Sequence, residues 1–187
     1  MVDTQRNKDD FTNATTGIFK DNAAGDISAQ DIRDFVESTH LNYGSLYFST
    51  SATTNILSSL TWTKAAGTTT AVNLRGFDMP ADNRLRYTGT TSVHVHGVIS
   101  LSSSTVNANK DILYGVYYYD DSAASGSVLA HSILERSHGT SDIGAIALHF
   151  DQMLDTNDYV ELHVQNQSDA SDLEIVYGYI FMMGMFI

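Results

Sequence analysis

LEIVYGYIFMMGMFI, residues 173–187, is apolar on both faces when it is laid out as an extended strand. One face carries Ile175, Tyr177, Tyr179, Phe181, Met183, Met185 and Ile187, and the other carries Val176, Gly178, Ile180, Met182 and Phe186. Such a strand packs one face on its own core and the other on a second surface, most economically another copy of the chain. We therefore expect a β protein that self-associates, with an interface at Tyr177, Tyr179, Phe181, Met183 and Met185.

The composition limits the classes of partner. The chain has ten Lys and Arg and 22 Asp and Glu, which gives a formal net charge of −12. This charge disfavours binding to nucleic acid. Arg75, Arg84 and Arg86 lie close together in the sequence but are too few for a nucleic-acid-binding stripe. The apolar run at residues 173–187 is too short for a bilayer-spanning helix, so no membrane partner is expected. Without cysteine, stability must come from packing and assembly.

Residues 1–26 are predicted to form an N-terminal anchoring arm. They are rich in Asn, Thr, Asp and Gly, which favour turns and coil. Phe11, Ile18 and Phe19 are isolated apolar positions, spaced to dock into pockets on another protein. The opening MVDTQRNKDD has neither the apolar stretch of a signal peptide nor a lipidation signal, so synthesis in a cytoplasm is expected.

A short helix is predicted to follow the arm. Ser28 followed by Asp31 resembles a capping box with Asp in place of Glu. Apolar residues then recur at helical spacing: Ile32, Phe35 and Val36. We assign the helix and its connector to residues 27–42 and a single β domain to residues 43–187.

The β domain is predicted to be an antiparallel two-sheet jelly-roll sandwich, because short β-rich runs alternate with turn formers. The predicted strands are 44–49, 54–63, 70–74, 84–88, 91–102, 111–119, 127–134, 143–151, 158–166 and 173–187. Two runs alternate cleanly between core and surface. In DYVELHVQ, Val160, Leu162 and Val164 face the core, and Tyr159, Glu161, His163 and Gln165 face outward. In GAIALHF, one face carries Gly144, Ile146, Leu148 and Phe150, and the opposite face carries Ala145, Ala147 and His149.

His94 and His96 are weak candidates for metal ligands. They project from the same face of one strand at a spacing that permits shared ligation. No third ligand is set by the sequence, and a row of histidines on an outward or subunit-facing strand more often serves polar packing than metal binding. The pair faces solvent or a neighbour if the alternate residues face the core, namely Val93, Val95, Ile99 and Leu101.

The run DILYGVYYYDD, residues 111–121, is an aromatic cluster beside carboxylates. Tyr114 and Tyr118 fall on one face, and Tyr117 and Tyr119 on the other. Such clusters suit sugar stacking combined with hydrogen bonds, which makes Tyr117, Tyr119 and Asp120 candidate glycan contacts. Core and subunit packing is the more common use of such tyrosines, and the glycan site is the alternative.

No enzyme signature is present: there is no G-x-S-x-G elbow, P-loop, G-x-G-x-x-G fingerprint or H-E-x-x-H motif. We expect no enzymatic activity and no cofactor. A hydrolase of surface polysaccharide would need two acids to converge at a cleft, which the sequence leaves open. Asp155, Asn157 and Asp158 could bind calcium in a turn, or form an Asx turn without metal.

Three segments carry a resemblance to structural proteins of tailed bacteriophages. GDISAQDIRDFVES, residues 25–38, resembles a helix that precedes a jelly-roll domain in that family. TWTKAAGTTTAVNLRGFDMPADNRLRYTG, residues 61–89, is similar to its Trp/Val-rich strand, apolar-Gly-Phe element and N-R-L-x-Y-T-G strand entry. DYVELHVQNQS, residues 158–168, resembles its late D-Y-V-E-L-x-V-x-N strand.

This resemblance implies a jelly roll similar to those of tumour necrosis factor (TNF) and complement proteins, which pack as trimers along aromatic inner faces. It implies a non-enzymatic virion protein on the exterior of capsid or tail, most simply a homotrimeric capsid decoration or head-fibre protein. The arm would then bind another virion protein, such as the major capsid protein. The alternative is the receptor-binding tip of a tail fibre or spike that recognises a host surface glycan.

Overall fold

A computed structural model describes residues 29–39, 41–140 and 142–186 and is nearly all-β. Within these residues there is one α-helix, α1 (Ala29–Thr39), and a short 3-10 helix (Ala130–Ser132). The strands are β1 (Asn42–Ser51), β2 (Thr53–Thr54), β3 (Thr63–Lys64), β4 (Gly67–Arg75), β5 (Phe77–Asp78), β6 (Leu85–Tyr87), β7 (Val93–Thr105), β8 (Lys110–Asp120), β9 (Ser125–Val128), β10 (Leu134–His138), β11 (Gly144–Leu154), β12 (Tyr159–Asn166) and β13 (Leu173–Phe186). Within the described ranges, no helix is long and apolar enough to cross a bilayer.

The strands form two antiparallel sheets. Sheet 1 has the order β11-β7-β13-β1-β4, with β2 paired to β13. Sheet 2 has the order β10-β8-β12-β6-β5, with β3 paired to β12 and β9 paired to β8. Strands that are neighbours in a sheet are often distant in sequence, as a jelly roll requires. The predicted two-sheet sandwich is confirmed, and the double-sided strand β13 lies at the centre of sheet 1.

The predicted helix is confirmed at α1, while its Ser28 cap and the arm residues Phe11, Ile18 and Phe19 lie outside the described residues. The helical apolar positions are exposed: Ile32, Phe35 and Val36. Asp34 is instead buried, and its Oδ1 accepts a 2.6 Å hydrogen bond from Gln30 Nε2. The periodicity therefore predicted the helix correctly without predicting which side chains it buries.

The core lies between the two sheets and is built from alternate residues of the long strands. The predicted inward sets are confirmed as buried: Val93, Val95, Ile99 and Leu101 on β7; Leu148 and Phe150 on β11; and Val160, Leu162 and Val164 on β12. Gly97 continues the inward row of β7, and a Cβ added there would lie 2.1 Å from Phe150 Cζ. The Phe150 ring therefore occupies the space that any other residue at position 97 would need.

Strand β13 departs from its predicted alternation at a β-bulge. Ile175 pairs with Ser103 and Tyr177 pairs with Ser102, so Val176 is an extra residue between two consecutive partners. The bulge exchanges the two faces of the strand. Ile175, predicted to lie with the tyrosines, is therefore buried in the core, whereas Tyr177 is 71% exposed.

Other strand predictions need correction. The predicted strand 54–63 is only β2 and β3, joined by a loop in which Leu60 has a positive φ of 60°. Instead of a sheet ladder, the loop is held by isolated bonds, such as Leu60 N–H to the Asn166 carbonyl at 2.9 Å. The predicted strand 127–134 is divided among β9, the 3-10 helix and β10, and the two-residue strand β5 was not predicted.

Candidate functional site

The outer face of sheet 1 is organised in rows by the pairing register. One row runs Tyr47, Tyr179, Ser100 and Ala147 across β1, β13, β7 and β11. The row nearer the start of β1 runs Tyr43, Met183, His96 and Asp151. Because paired residues share a face, large apolar side chains collect over β1 and β13, and small or polar ones collect over β7 and β11.

All five predicted interface residues lie on this outer face. Tyr177 and Met185 are 71% and 63% exposed, and Tyr179 and Met183 are also exposed. Phe181 is half-buried in the row between Ser45 and Val98. Together with the exposed Tyr43 and Tyr47 of β1, they form one contiguous apolar surface, which we call the β13 face. A surface of this kind marks an interaction site more often than a solvated face.

A shallow concavity of about 630 Å³ borders the β13 face. Tyr177 and Tyr179 form one wall, and the rest of the lining is mostly small, namely Ser100, Ser102, Ala145, Ala147 and Gly178, with Leu101 and Ile146 beside them. The outer face of sheet 1 is therefore uneven, with an aromatic ridge beside a trough. Uneven apolar surfaces gain burial when a complementary surface fills them.

His94 and His96 point outward on sheet 1. His96 Nδ1 lies 2.9 Å from Asp151 Oδ1, and its ring lies 5.8 Å from that of His149. The hydrogen bond from His96 lowers the pKa of Asp151. Within residues 29–39, 41–140 and 142–186, no three His, Asp or Glu residues are grouped so as to hold a metal ion.

Sheet 2 carries a second feature on its own outer face, again built by one row of pairs. The row crosses five strands, β9 to β5, and runs Gly126, Tyr119, Tyr159, Arg86 and Asp78. The Tyr119 and Tyr159 rings stack with centroids 4.7 Å apart and an interplanar angle of 14°. We call these two rings the tyrosine platform.

Arg84 packs on the tyrosine platform at the Tyr159 ring. Its guanidinium carbon lies 3.8 Å from the Tyr159 ring centroid. A guanidinium and a stacked ring cannot share one face, so Tyr159 is sandwiched between Arg84 and Tyr119. Tyr117 is not part of this stack, because it packs on His163 with centroids 4.4 Å apart.

Glu161 projects outward from β12, as predicted, but it is buried. It is only 3% exposed because cationic neighbours cover it. Its Oε1 accepts from Lys64 Nζ at 2.6 Å and Arg84 Nε at 2.7 Å, and its Oε2 lies 3.1 Å from His163 Nε2. Burial alone would raise the pKa of Glu161, but these bonds outweigh it and lower the pKa to about 2. Gln165, also predicted outward, is buried as well.

Asp120 and Asp121 have different roles. Asp120 Oδ1 accepts from Ser122 Oγ at 2.7 Å and Ala123 N at 2.9 Å, so this carboxylate caps a turn, and these bonds lower its pKa. Asp121 instead lines a concavity beside the tyrosine platform, with Arg84, Arg86 and Asn157. The predicted contacts Tyr117 and Asp120 are not part of that lining, whereas Tyr119 is.

The turn after β11 is a β-turn rather than the predicted Asx turn, since the Asp158 N–H donates to the Asp155 carbonyl at 3.0 Å. The Asp158 Oδ2 atom accepts from Asp155 N at 2.9 Å and from Tyr118 Oη at 2.8 Å. Its Oδ1 accepts from Asp121 N at 2.9 Å. Both oxygens of the buried Asp158 carboxylate therefore bind protein donors, and Asn157 takes the positive φ of 74° that the turn requires.

Two of the segments that carry the sequence resemblance pair with each other. The Asn83 Nδ2 donates to the carbonyls of Ala65 and Leu162 at 3.0 and 2.9 Å. Leu85 pairs with Val160, and Tyr87 N–H donates to the Asp158 carbonyl at 2.9 Å. The N-R-L-x-Y-T-G and D-Y-V-E-L motifs thus build one unit that joins β6 to β12 and supports the concavity.

Comparison with known proteins supports the fold. No protein-family model and no curated protein sequence matches the chain. Murine APRIL at pH 5.0 matches with a TM-score of 0.53 and 9% identity over 78% of this chain and 100% of that one. The TNF protein Eiger from S. frugiperda matches with a TM-score of 0.47 and 9% identity over 77% and 93% of the two chains. The PRD1 vertex protein P5 matches with a TM-score of 0.46 and 13% identity over 78% and 97%. The fold is a TNF-like jelly roll.

Proposed function

We propose that this chain is a non-enzymatic virion structural protein of a tailed bacteriophage, which assembles as a homotrimer through the outer face of sheet 1. The observation that carries the assembly is the β13 face. It exposes four large apolar side chains of the central strand, and Tyr43 and Tyr47 of β1 extend it. Leaving such a surface in water is costly, and a second copy offers a matching apolar surface.

A cyclic trimer suits the uneven shape of this face. In a cyclic assembly each subunit presents two different surfaces, one to each neighbour. The aromatic ridge at Tyr177 and Tyr179 and the trough at Ala145 and Ala147 are two such surfaces on one sheet. The resemblance to TNF-like jelly rolls also implies a trimer in which aromatic faces of the subunits pack against one another.

The virion assignment is supported by the sequence resemblance in residues 25–38, 61–89 and 158–168. We place the trimer on the particle exterior, as a capsid decoration or head-fibre protein. Residues 1–26 serve as the anchoring arm in this proposal, with the major capsid protein as the partner. Three arms per trimer would strengthen a weak single contact through effective concentration.

Two measurements test the proposal. Light scattering of the purified chain should give three times the 20.5 kDa of one chain at micromolar concentration. A mass near that of one chain would contradict the trimer. Mass spectrometry of purified phage particles should detect the chain, and a map of the particle should place it on the outside. Its absence from particles would contradict the virion assignment while leaving the trimer intact.

A further inference from the structure

We propose that the concavity on sheet 2 beside the tyrosine platform is a saccharide-binding site. It is lined by Arg84, Arg86, Tyr119, Asp121, Asn157 and Tyr159 and holds about 340 Å³. This volume falls within the roughly 300–1,000 Å³ of small-molecule sites. The site adds a binding activity to the proposed assembly role and does not depend on it.

The tyrosine platform supplies a rigid aromatic surface. Tyr159 is immobilised between Arg84 and Tyr119, at 3.8 Å and 4.7 Å from its ring centroid. Tyr119 is only partly buried and lines the concavity with Tyr159, while the space over its partner Gly126 on β9 is occupied by the Tyr117 phenol. A pyranose ring presents a patch of C–H groups that packs on an aromatic face, so the part of the tyrosine platform that lines the concavity suits it.

Polar groups converge on the same concavity. The Asp121 carboxylate accepts hydrogen bonds, the Asn157 amide both donates and accepts, and the Arg86 guanidinium donates. The backbone beneath them is rigid, because Asp121 N–H and Asp155 N–H both donate to the Asp158 carboxylate at 2.9 Å. An aromatic surface with a few fixed polar groups at its rim is the arrangement that recognises vicinal hydroxyls.

The charges of the site favour a neutral, hydroxyl-rich ligand over a phosphate. Arg86 is held by Asp78 through two bonds of 2.9 and 2.6 Å, and Arg84 is held by Glu161 at 2.7 Å. Arg86 therefore has its own carboxylate, whereas Arg84 shares Glu161 with Lys64. Asp121 adds a third carboxylate at the rim, so the three cations are balanced by three anions. A free anion would meet no net positive charge there.

The location keeps the site accessible in the proposed trimer. Tyr119 and Tyr159 lie on the outer face of sheet 2, whereas the β13 face lies on the outer face of sheet 1. The hydrophobic core separates the two faces. Assembly through sheet 1 would present three copies of the site outward, so weak single-site binding would be multiplied on a polysaccharide.

Saturation-transfer NMR on the full chain tests this proposal, with the methyl glycosides of glucose, galactose, mannose, rhamnose and N-acetylglucosamine as probes at millimolar concentration. At least one probe should receive saturation at its ring protons. Asp121→Asn should weaken its binding roughly tenfold, the effect of losing one charged hydrogen bond. Tyr119→Ala should abolish the signal.

Asp120→Asn is the matched control, because the Asp120 carboxylate binds its own turn and lies outside the concavity lining. It should retain the binding of the parent chain. Asp121→Asn keeps the proposal testable if Tyr119→Ala fails to fold, since it changes only one exposed surface group. The proposal is overturned if no probe binds the parent chain. It is equally overturned if Asp121→Asn binds as the parent does, or if inorganic phosphate competes with the bound probe.

Discussion

Tyr114 Oη and His138 Nε2 share a 2.8 Å hydrogen bond in the interior between the two sheets. The same phenol also bonds Ser103 Oγ at 2.6 Å, so the contact links β8 and β10 of sheet 2 to β7 of sheet 1. His138 is 1% exposed, and its Nδ1 has no hydrogen-bond partner. Burial lowers the pKa of His138 below its ordinary value of 6.5 and raises that of Tyr114.

The free energy of unfolding should therefore fall as the pH drops below about 6.5, the ordinary pKa of histidine. The unfolded chain binds a proton at His138 near that pH, whereas the folded chain binds it only at lower pH. Unfolding is then favoured by proton uptake, and stability is lost as pH falls through the folded pKa. Urea titrations at several pH values between 7.5 and 5 would measure the slope.

His138→Gln should reduce this slope, because Gln does not titrate. The variant should be less stable than the parent at pH 7.5, since Gln fills the buried site imperfectly. The matched control is His149→Gln, which changes an exposed histidine. An unchanged slope in His138→Gln would show that His138 does not cause the acid sensitivity.

Glu161→Gln should destabilise the fold by about 2 kcal/mol, because a carboxylate bound to Lys64, Arg84 and His163 becomes neutral. The partly exposed Lys64 and Arg84 can recover some hydration, which limits the loss. The parent should lose this contribution as pH falls from 4.5 through about 2. Chemical denaturation measures the difference, and the exposed Glu135→Gln should change stability by less than about 0.5 kcal/mol. If Glu161→Gln and Glu135→Gln are equally stable, the contacts of Glu161 with Lys64, Arg84 and His163 do not stabilise the fold.

Gly97→Ala should destabilise the chain by about 1–3 kcal/mol, because the added methyl group collides with the Phe150 ring. Gly139→Ala is the control, since no atom lies within 4 Å of a Cβ at that position. Thermal unfolding of both variants gives the comparison. If Gly97→Ala melts at the same temperature as the parent, the Phe150 ring can move aside and the core around Gly97 is not tightly packed.

Tyr179→Asp and Met183→Asp should each dissociate the proposed trimer or make it insoluble. A charge placed on the β13 face would be buried without a partner, which costs several kcal/mol. Leu57→Asp, in the loop after β2 and 85% exposed, should leave the assembly unchanged. Light scattering reads the mass of each variant. Two charged variants that both remain trimeric would place the interface elsewhere.

Removal of residues 1–24 should leave a soluble, folded trimer that no longer binds phage particles stripped of this protein. The deletion spares α1 and both sheets. Phe19→Ala in the full chain should weaken binding of the trimer to particles by more than the loss of a single Phe19 contact, because the change affects all three arms at once. Co-sedimentation with stripped particles measures binding. Full occupancy by the truncated trimer would show that the jelly roll itself is the anchor.

The amino-acid sequence by itself predicted the two-sheet sandwich and which strand residues face its core. The period-two alternation of Val160, Leu162 and Val164 is local, so it is readable without knowing which strand lies beside β12. The double apolar character of residues 173–187 likewise predicted a strand with one face on the core and the other face on a second surface; the first is observed, and the second is the proposed interface. The capping pattern and helical spacing predicted α1 in the same local manner.

Tertiary pairing decided the rest, because it joins residues that are far apart in the chain. The bulge at Val176 arises from the pairing of β13 with β7, and it moved Ile175 into the core. Glu161 is buried by Lys64 and Arg84, which stand 97 and 77 positions away. Tyr119 and Tyr159 stack because β8 and β12 are neighbours in sheet 2. Alternation gives the face of a side chain, but its neighbours on that face, and therefore its burial and chemistry, depend on which strands the fold sets side by side.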